Sequence, residues 1–252
     1  MNDIFVIQCV EYRISSEIMN KGINTEKMNI IYEDKDIIVV EKPSGIPVQT
    51  KRIADKDMIS EIRNYLNKEK KIVNPYLGII HRLDTPVHGI LVFALNNKAA
   101  GKLSMQIREG AFNKKYYAVV DGLIETNGRQ EILVDYLIKD KDNIARIADR
   151  ENRYSKRAEL KFITLLTDKE RDISVLEIEL VTGRFHQIRA QMAGMGHPIV
   201  NDGKYGGSVL KKLYDKHSIG LCAYFLSFKH PENDSIVEFR LDMEPRDMII
   251  QS

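Results

Sequence analysis

From Gly78 to Ala94 the chain reads Gly-Ile-Ile-His-Arg-Leu-Asp-Thr-Pro-Val-His-Gly-Ile-Leu-Val-Phe-Ala. Ile79-Ile80 and Ile90 to Ala94 are runs of β-branched and large apolar residues, and the insert between them is charged and broken by Pro86 and Gly89. The pattern predicts strand, loop, strand. Apolar strands that bury themselves in a sheet fix both ends of that loop, so His81, Arg82 and Asp84 stand on a rigid element where a reactive group keeps its geometry. A carboxylate held there is a candidate nucleophile or base.

The flanking patterns extend the sheet on both sides. Residues 30–45 predict strand, acidic turn, strand and a Pro43–Gly45 turn, while Ile59, Ile62 and Leu66 recur at helical spacing. Asn96-Asn97 offers an N-cap to a helix from Lys98 to Arg108, with Leu103 and Ile107 on one face. Lys114 to Gly122 is a strand by β-propensity, and alternation sends Tyr116 and Tyr117 to opposite faces, one into a site and one away. Four further strands fall at 131–136, 144–148, 158–165 and 173–180, and two more at 221–229 and 236–241. Between 180 and 200 a helix starting near Phe185 and ended by Gly194 and Gly196 puts His186 and Arg189 on one face. Residues 196–207 form a turn-rich loop that is not a Walker A loop, because Pro198 stands where its first glycine is required.

Composition narrows the class. At 252 residues, 43% hydrophobic and 29% charged, the chain has enough material for one sizeable core. No apolar run approaches the roughly 20 residues of a membrane span, and the start lacks a signal peptide's features, so a cytoplasmic protein with no membrane association is expected. Cys9 and Cys222 are too few for a disulfide framework or a CxxC metal site and read as small buried side chains. A net charge of +2 does not itself indicate a polyanionic ligand. Arg146, Arg150, Arg153, Lys156 and Arg157 form the most basic patch, readable as a solvated hairpin or a phosphate contact; Lys98, Lys102 and Arg108 are equally open between groove edge and solvated helix face. Residues 1–28 read as an N-terminal arm packed on a single domain of residues 29–252, with a disordered terminus as the alternative.

The His81-Arg82-Leu83-Asp84 segment, taken in order with Tyr32 to Gly45, Lys114 to Gly122, Thr182 to Arg189, Gly196 to Gly206 and, more loosely, Leu221 to Pro231, resembles the RluA family of RNA pseudouridine synthases. The likeness implies an α+β fold whose central, largely antiparallel mixed sheet is flanked by helices and crossed by a cleft. It implies an isomerase converting uridine to pseudouridine in structured RNA, either rRNA or tRNA. Asp84 matches the catalytic aspartate, and Arg189, last residue of a segment similar to "TGRxHQxR", matches its partner. A K-x-Y-x-A pattern formed with Lys114 and Ala118 selects Tyr116 to stack on uracil and relay a proton. Arg82 and His81 become fillers of the space left by an extruded uridine, or phosphate clamps. Lys42, in a segment like "NKPxG", falls at the site's rim, and Lys114, Arg184, His186 and Gln187 are further candidate RNA contacts. The reaction gains no atom and changes no oxidation state, so neither metal nor organic cofactor is expected. A monomer without an obligatory protein partner is expected too. Many relatives carry a separate RNA-binding domain at the N-terminus, for which residues 1–28 are too short.

Two departures stand out. Glu41 occupies a position where asparagine is common, and Thr85-Pro86-Val87-His88-Gly89 replaces the usual x-x-Thr-Ser-Gly. His88 is left open between an RNA contact and a local turn contact. A competing class is a non-catalytic RNA-binding module derived from such an enzyme, which need not keep Asp84, Tyr116 and Arg189 together. A kinase reading of His-Arg-Leu-Asp lacks both GxGxxG and DFG segments. A two-carboxylate glycosidase leaves the Thr182–Arg189 octet unexplained.

Overall fold

Period-two alternation builds one sheet with two separate apolar faces. A computed structural model describes residues 28–51, 55–210 and 213–250 and the backbone of 10–14. Its strands are β1 (Val10–Ile14), β2 (Asn29–Glu33), β3 (Ile37–Lys42), β4 (Gly78–Ile79), β5 (His88–Ala94), β6 (Asn113–Asp121), β7 (Glu131–Lys139), β8 (Ala145–Ile147), β9 (Lys156–Asp168), β10 (Ile173–Leu180), β11 (Leu221–Lys229) and β12 (Ile236–Leu241). Helices α1 (Met58–Lys68), α2 (Asn97–Arg108) and α3 (Gln187–Gly194) pack against them, and a 3-10 turn spans Pro245–Met248. The sheet runs β2-β3-β5-β11-β6-β10-β9-β7-β8, with β4 on β5, β12 on β11 and β1 on β12. Among the described residues only β1–β12 and β5–β11 pair in parallel, giving the mixed, largely antiparallel α+β sheet that the family resemblance implies.

One face carries Val40, Leu91, Phe93, Tyr116, Ala118 and Ile178, covered by Ile62 and Leu66 of α1 and by Ile188 and Met192 of α3. The other carries Val39, Ile90, Val92, Tyr117, Val119 and Cys222, covered by Ala99 and Leu103 of α2 and by Met243 and Met248. Tyr116 and Tyr117 therefore diverge as expected; Tyr117 stacks on Tyr224 with ring centroids 3.8 Å apart. Asn96 caps α2 by accepting from the Ala99 N–H at 2.9 Å, while α1 begins at a capping box between Asp57 and Ser60.

β11 is where the sheet forks. Its start pairs with β5 (Cys222 beside His88, Ala223 beside Gly89) and its remainder with β12 along the same edge. Gly89 has φ 136°, and a Cβ there would collide with the Ala223 carbonyl, so only glycine lets the two strands approach so closely. The loop carrying Asp84 enters β5 just before this contact.

α3 departs from the expectation by beginning at Gln187 rather than near Phe185. His186 is its N-cap in the left-handed region (φ 51°), because the chain first makes a turn in which the Gln187 side-chain Oε1 accepts from Thr182 Oγ1 and the Arg184 N–H. In the N-terminal arm, β1 adds to β12, while the apolar stretch Ile4 to Ile7 and Cys9 lie outside the described residues. Cys222 is buried, 2% exposed.

Candidate active site

A cavity of about 1320 Å³ opens on the face that carries α1 and α3, larger than the ~300–1,000 Å³ of common small-molecule pockets. Asp84 and Val87 from the loop before β5, Tyr116 from β6, Leu221 from β11, and His186 and Arg189 from around the start of α3 all line it. Residues far apart in sequence thus meet where the sheet forks.

Arg189 organises the floor. Its side chain is buried, 4% exposed; Nε donates to Asp202 Oδ2 at 2.6 Å, Nη2 to Asp202 Oδ1 at 2.8 Å and Nη1 to Asp84 Oδ2 at 3.0 Å. The Asp202 carboxylate takes the bidentate fork, leaving one remaining edge for Asp84. Burial works against the guanidinium charge, and Asp202 followed by Asp84 more than restores it. The Tyr205 ring supports the guanidinium at 5.1 Å. The Asp84 side chain stays 26% exposed toward the cavity, so the bound arginine does not seal it from a substrate.

His186 Nε2 lies 3.6 Å from Asp84 Oδ2, and its Nδ1 lies 3.0 Å from the Tyr205 hydroxyl. That hydroxyl also accepts from the Ala145 N–H at 2.8 Å, so Tyr205 ties the imidazole to the start of β8 beside Asp84. Burial lowers the His186 pKa to about 4 against the pull of Asp84, which leaves the ring neutral near pH 7. Tyr116 is buried, 6% exposed, and its hydroxyl pKa is raised by burial and then by the Asp84 charge, so it remains a phenol.

The other candidates divide into cavity groups and braces. Arg82 is exposed at the cavity wall; Lys114 also lines it, with its pKa lowered by burial. Arg184 is exposed there too, with Nε donating to the Arg157 carbonyl at 2.9 Å. His81 lines the cavity but uses Nε2 to accept from the Val92 N–H at 3.3 Å, and burial, then Lys114, pushes its pKa down to about 3. Gln187 is 3% exposed and its amide is engaged internally, donating to the Glu159 carbonyl at 3.0 Å. Lys42 does not reach the expected rim: it is fully buried, and Nζ donates to the carbonyls of Pro43 (2.8 Å), Ile46 (2.8 Å) and Thr85 (3.0 Å). The reason is the strand's alternation, which points residue 42 under the Asp84 loop and makes its ammonium a tie for that loop. Ile90 to Phe93 lie within the sheet and do not wall the cavity; Val48, Val87, Leu180 and Ile219 do.

His88 also departs from the RNA-contact option. It faces the opposite side of the sheet, with Nε2 2.6 Å from Glu41 Oε1 and Nδ1 3.3 Å from Cys222 Sγ. Sequence reasoning missed Asp202 and Tyr205, although both stand in the Gly196–Gly206 segment; an acidic residue amid turn residues reads as solvated, and nothing local announces an arginine partner.

Among the described residues, Asp34, His230 and Glu232 form a group close enough to be tested as metal ligands. His230 Nδ1 accepts from the Glu232 N–H at 3.3 Å, which places the imidazole proton on Nε2, 2.9 Å from Asp34 Oδ2. With its hydrogen on Nε2 and Nδ1 already accepting, the ring offers no free lone pair to a metal. No helix among the described residues is long and apolar enough to cross a membrane.

Comparison with known proteins identifies the family. A family model described as RNA pseudouridylate synthase matches residues 36–194. An uncharacterized RNA pseudouridine synthase of Aquifex aeolicus is 33% identical over 231 residues, covering 85% of this chain and 69% of the relative. The tRNA pseudouridine synthase C of Vibrio parahaemolyticus is 31% identical over 227 residues (84% and 89%), and the ribosomal large subunit pseudouridine synthase D of Neisseria meningitidis serogroup B is 32% identical over 250 residues (92% and 62%). In fold, the human RNA pseudouridylate synthase domain containing 4 superposes with a TM-score of 0.69 at 20% identity, covering 87% of this chain and 90% of that one. On these matches the chain belongs to the RluA-type RNA pseudouridylate synthase family and is an isomerase acting on RNA.

Proposed function

We propose that this enzyme isomerises specific uridines of structured rRNA or tRNA through Asp84, in the cytoplasm, as a monomer without an obligatory protein partner and without metal or organic cofactor. The observation that carries the reading is the 3.0 Å contact between Arg189 and a cavity-facing Asp84, two residues that lie 105 positions apart in sequence. A buried guanidinium locked by Asp202 holds and aims the Asp84 carboxyl group, as is needed by a group that attacks or stabilises an electron-poor sugar or base carbon.

Pseudouridine formation breaks the C1′–N1 glycosidic bond, turns the uracil and joins C1′ to C5; the C5 hydrogen leaves as a proton and N1 gains one. Asp84 serves equally for attack at C1′, attack at C6 or elimination through a glycal. Tyr116, kept protonated, supplies a ring to stack on the uracil and a hydroxyl to pass a proton. Arg82 at the wall fills the stack after the uridine leaves it or clamps a phosphate. Lys114, Lys139, Arg184, Lys204 and Lys216 around the cavity give the positive field that a polyanion seeks. The names of the Vibrio and Neisseria relatives support tRNA and rRNA as the classes to test.

RNA pools carrying tritium at uridine C5 provide that test. Tritium release in step with pseudouridine is the expected outcome. RNA binding without release from tRNA or rRNA supports the non-catalytic module instead.

A further inference from the structure

We propose that His88 and Glu41 position Asp84 from the reverse side of the sheet, an imidazolium donating from both ring nitrogens and tying β5 to β3 and β11 directly behind the Asp84 loop. The inference rests on the reading of Asp84 as the reacting group. His88 opens β5 four residues after Asp84, and alternation sends Val87 toward the cavity and His88 away from it.

The contacts accommodate the charged ring. Glu41 can only accept, so Nε2 donates to it at 2.6 Å. With the Cys222 S–H turned to Met243 Sδ at 3.7 Å, the sulfur accepts from Nδ1–H at 3.3 Å. In that arrangement both nitrogens carry hydrogens. Glu41 is completed by Asn29 Nδ2 at 2.6 Å. Glu41 from β3 and Cys222 from β11 are the titratable groups facing the ring; Tyr116 and Tyr214 stand near the thiol. Burial opposes the ring's charge, yet the contacts with Cys222 and Glu41 raise its pKa, and the Glu41 pKa is lowered by His88 and Asn29 against its own burial.

Adjacent residues of β3 thus grip one short segment from opposite faces. Lys42 holds the Thr85 carbonyl on the cavity side and Glu41 holds His88 on the other. Gly89 against Ala223 leaves β5 no slack between them. The two departures from the family pattern, Glu41 and His88, are each other's partners, which accounts for their joint presence.

The test combines the His88 ring NMR titration, the Asp84 carboxyl carbon signal and the pH dependence of kcat, in the wild type and in Glu41→Gln. In the wild type the ring should remain doubly protonated at pH 8. In Glu41→Gln its midpoint should fall by about two pH units, the Asp84 carbon signal should move with it, and kcat should gain an alkaline decline at that same pH while KM stays within about twofold. A neutral wild-type ring at pH 8 would overturn the proposal, and this measurement does not depend on the variant folding. So would an Asp84 signal and kcat profile in Glu41→Gln that superimpose on the wild type. If the wild type modifies no RNA, the isomerase reading fails; coupled ring and Asp84 signals would still establish the positioning contact.

Discussion

Replacing Asp202 by asparagine isolates the support beneath the candidate active site without altering a residue that meets substrate. Asp202 is 1% exposed and accepts from Arg189 at 2.6 and 2.8 Å, so the substitution removes one of two carboxylates from a buried guanidinium and turns an NH2 donor toward a donor. Breaking a buried ion pair on one side costs about 3–5 kcal/mol; because asparagine keeps one acceptor and Asp84 still faces the arginine, about 3 kcal/mol is the reasonable figure. At ~2–4 °C per kcal/mol for a chain of this size, that is a fall in Tm of about 6–12 °C. The freed guanidinium should also turn toward Asp84, so kcat should drop by about tenfold or more with RNA affinity little changed. Thermal unfolding and single-turnover kinetics on one RNA check both. A Tm within about 2 °C of wild type together with unaltered kcat would refute the claim that Asp202 fixes Arg189 and, through it, Asp84.

Lys42→Met should keep the buried stem but strip its hydrogen bonds from the Pro43, Ile46 and Thr85 carbonyls, destabilising by about 2–4 kcal/mol in denaturant titration; a surface-like change below ~0.5 kcal/mol would contradict its role as a tie. Tyr116→Phe retains the ring while losing the hydroxyl, so RNA affinity should persist while kcat falls by about 10²-fold, and unchanged kcat would reduce Tyr116 to a stacking surface. Folding stability should depend on pH most clearly on the acid side. His81 and His186, with pKa values lowered to about 3 and about 4, are neutral in the fold while the unfolded chain takes up protons below about 6.5, so stability falls as pH drops from there. His88, raised to about 10, acts in the opposite sense: its contribution is complete below about 6.5 and is lost as pH rises toward 10. Lys42, lowered by burial to about 7, opposes His88 by gaining stability as pH rises from there, so the acid limb carries the test: urea midpoints should fall as pH drops from about 6.5 to 4, and a midpoint that is level over that range would dispose of the His81 and His186 assignments.

Local periodicity was enough for the strand, loop and strand around Asp84, for the Asn96 cap and for the divergence of Tyr116 and Tyr117, because those depend on neighbours in sequence. The motifs also paired Asp84 with Arg189. What was not legible depends on partners that folding brings from elsewhere. Lys42 was expected at the site's rim, yet three carbonyls of two loops converge on it. Asp202 looked like a turn residue and proves to hold the arginine. His88 sits in an apparent surface loop, but strand alternation at the fork carries it behind the sheet to Glu41 and Cys222. The late start of α3 comes from a left-handed His186 that helical spacing cannot reveal.

Tritium release by Asp84→Asn, measured beside its RNA affinity, addresses the nucleophile assignment most directly. Asparagine keeps the shape and one acceptor for Arg189 but removes the negative charge. No release above background with RNA affinity within a few-fold of wild type is expected. An asparagine variant that turns over at the wild-type rate would contradict Asp84 as the reacting group.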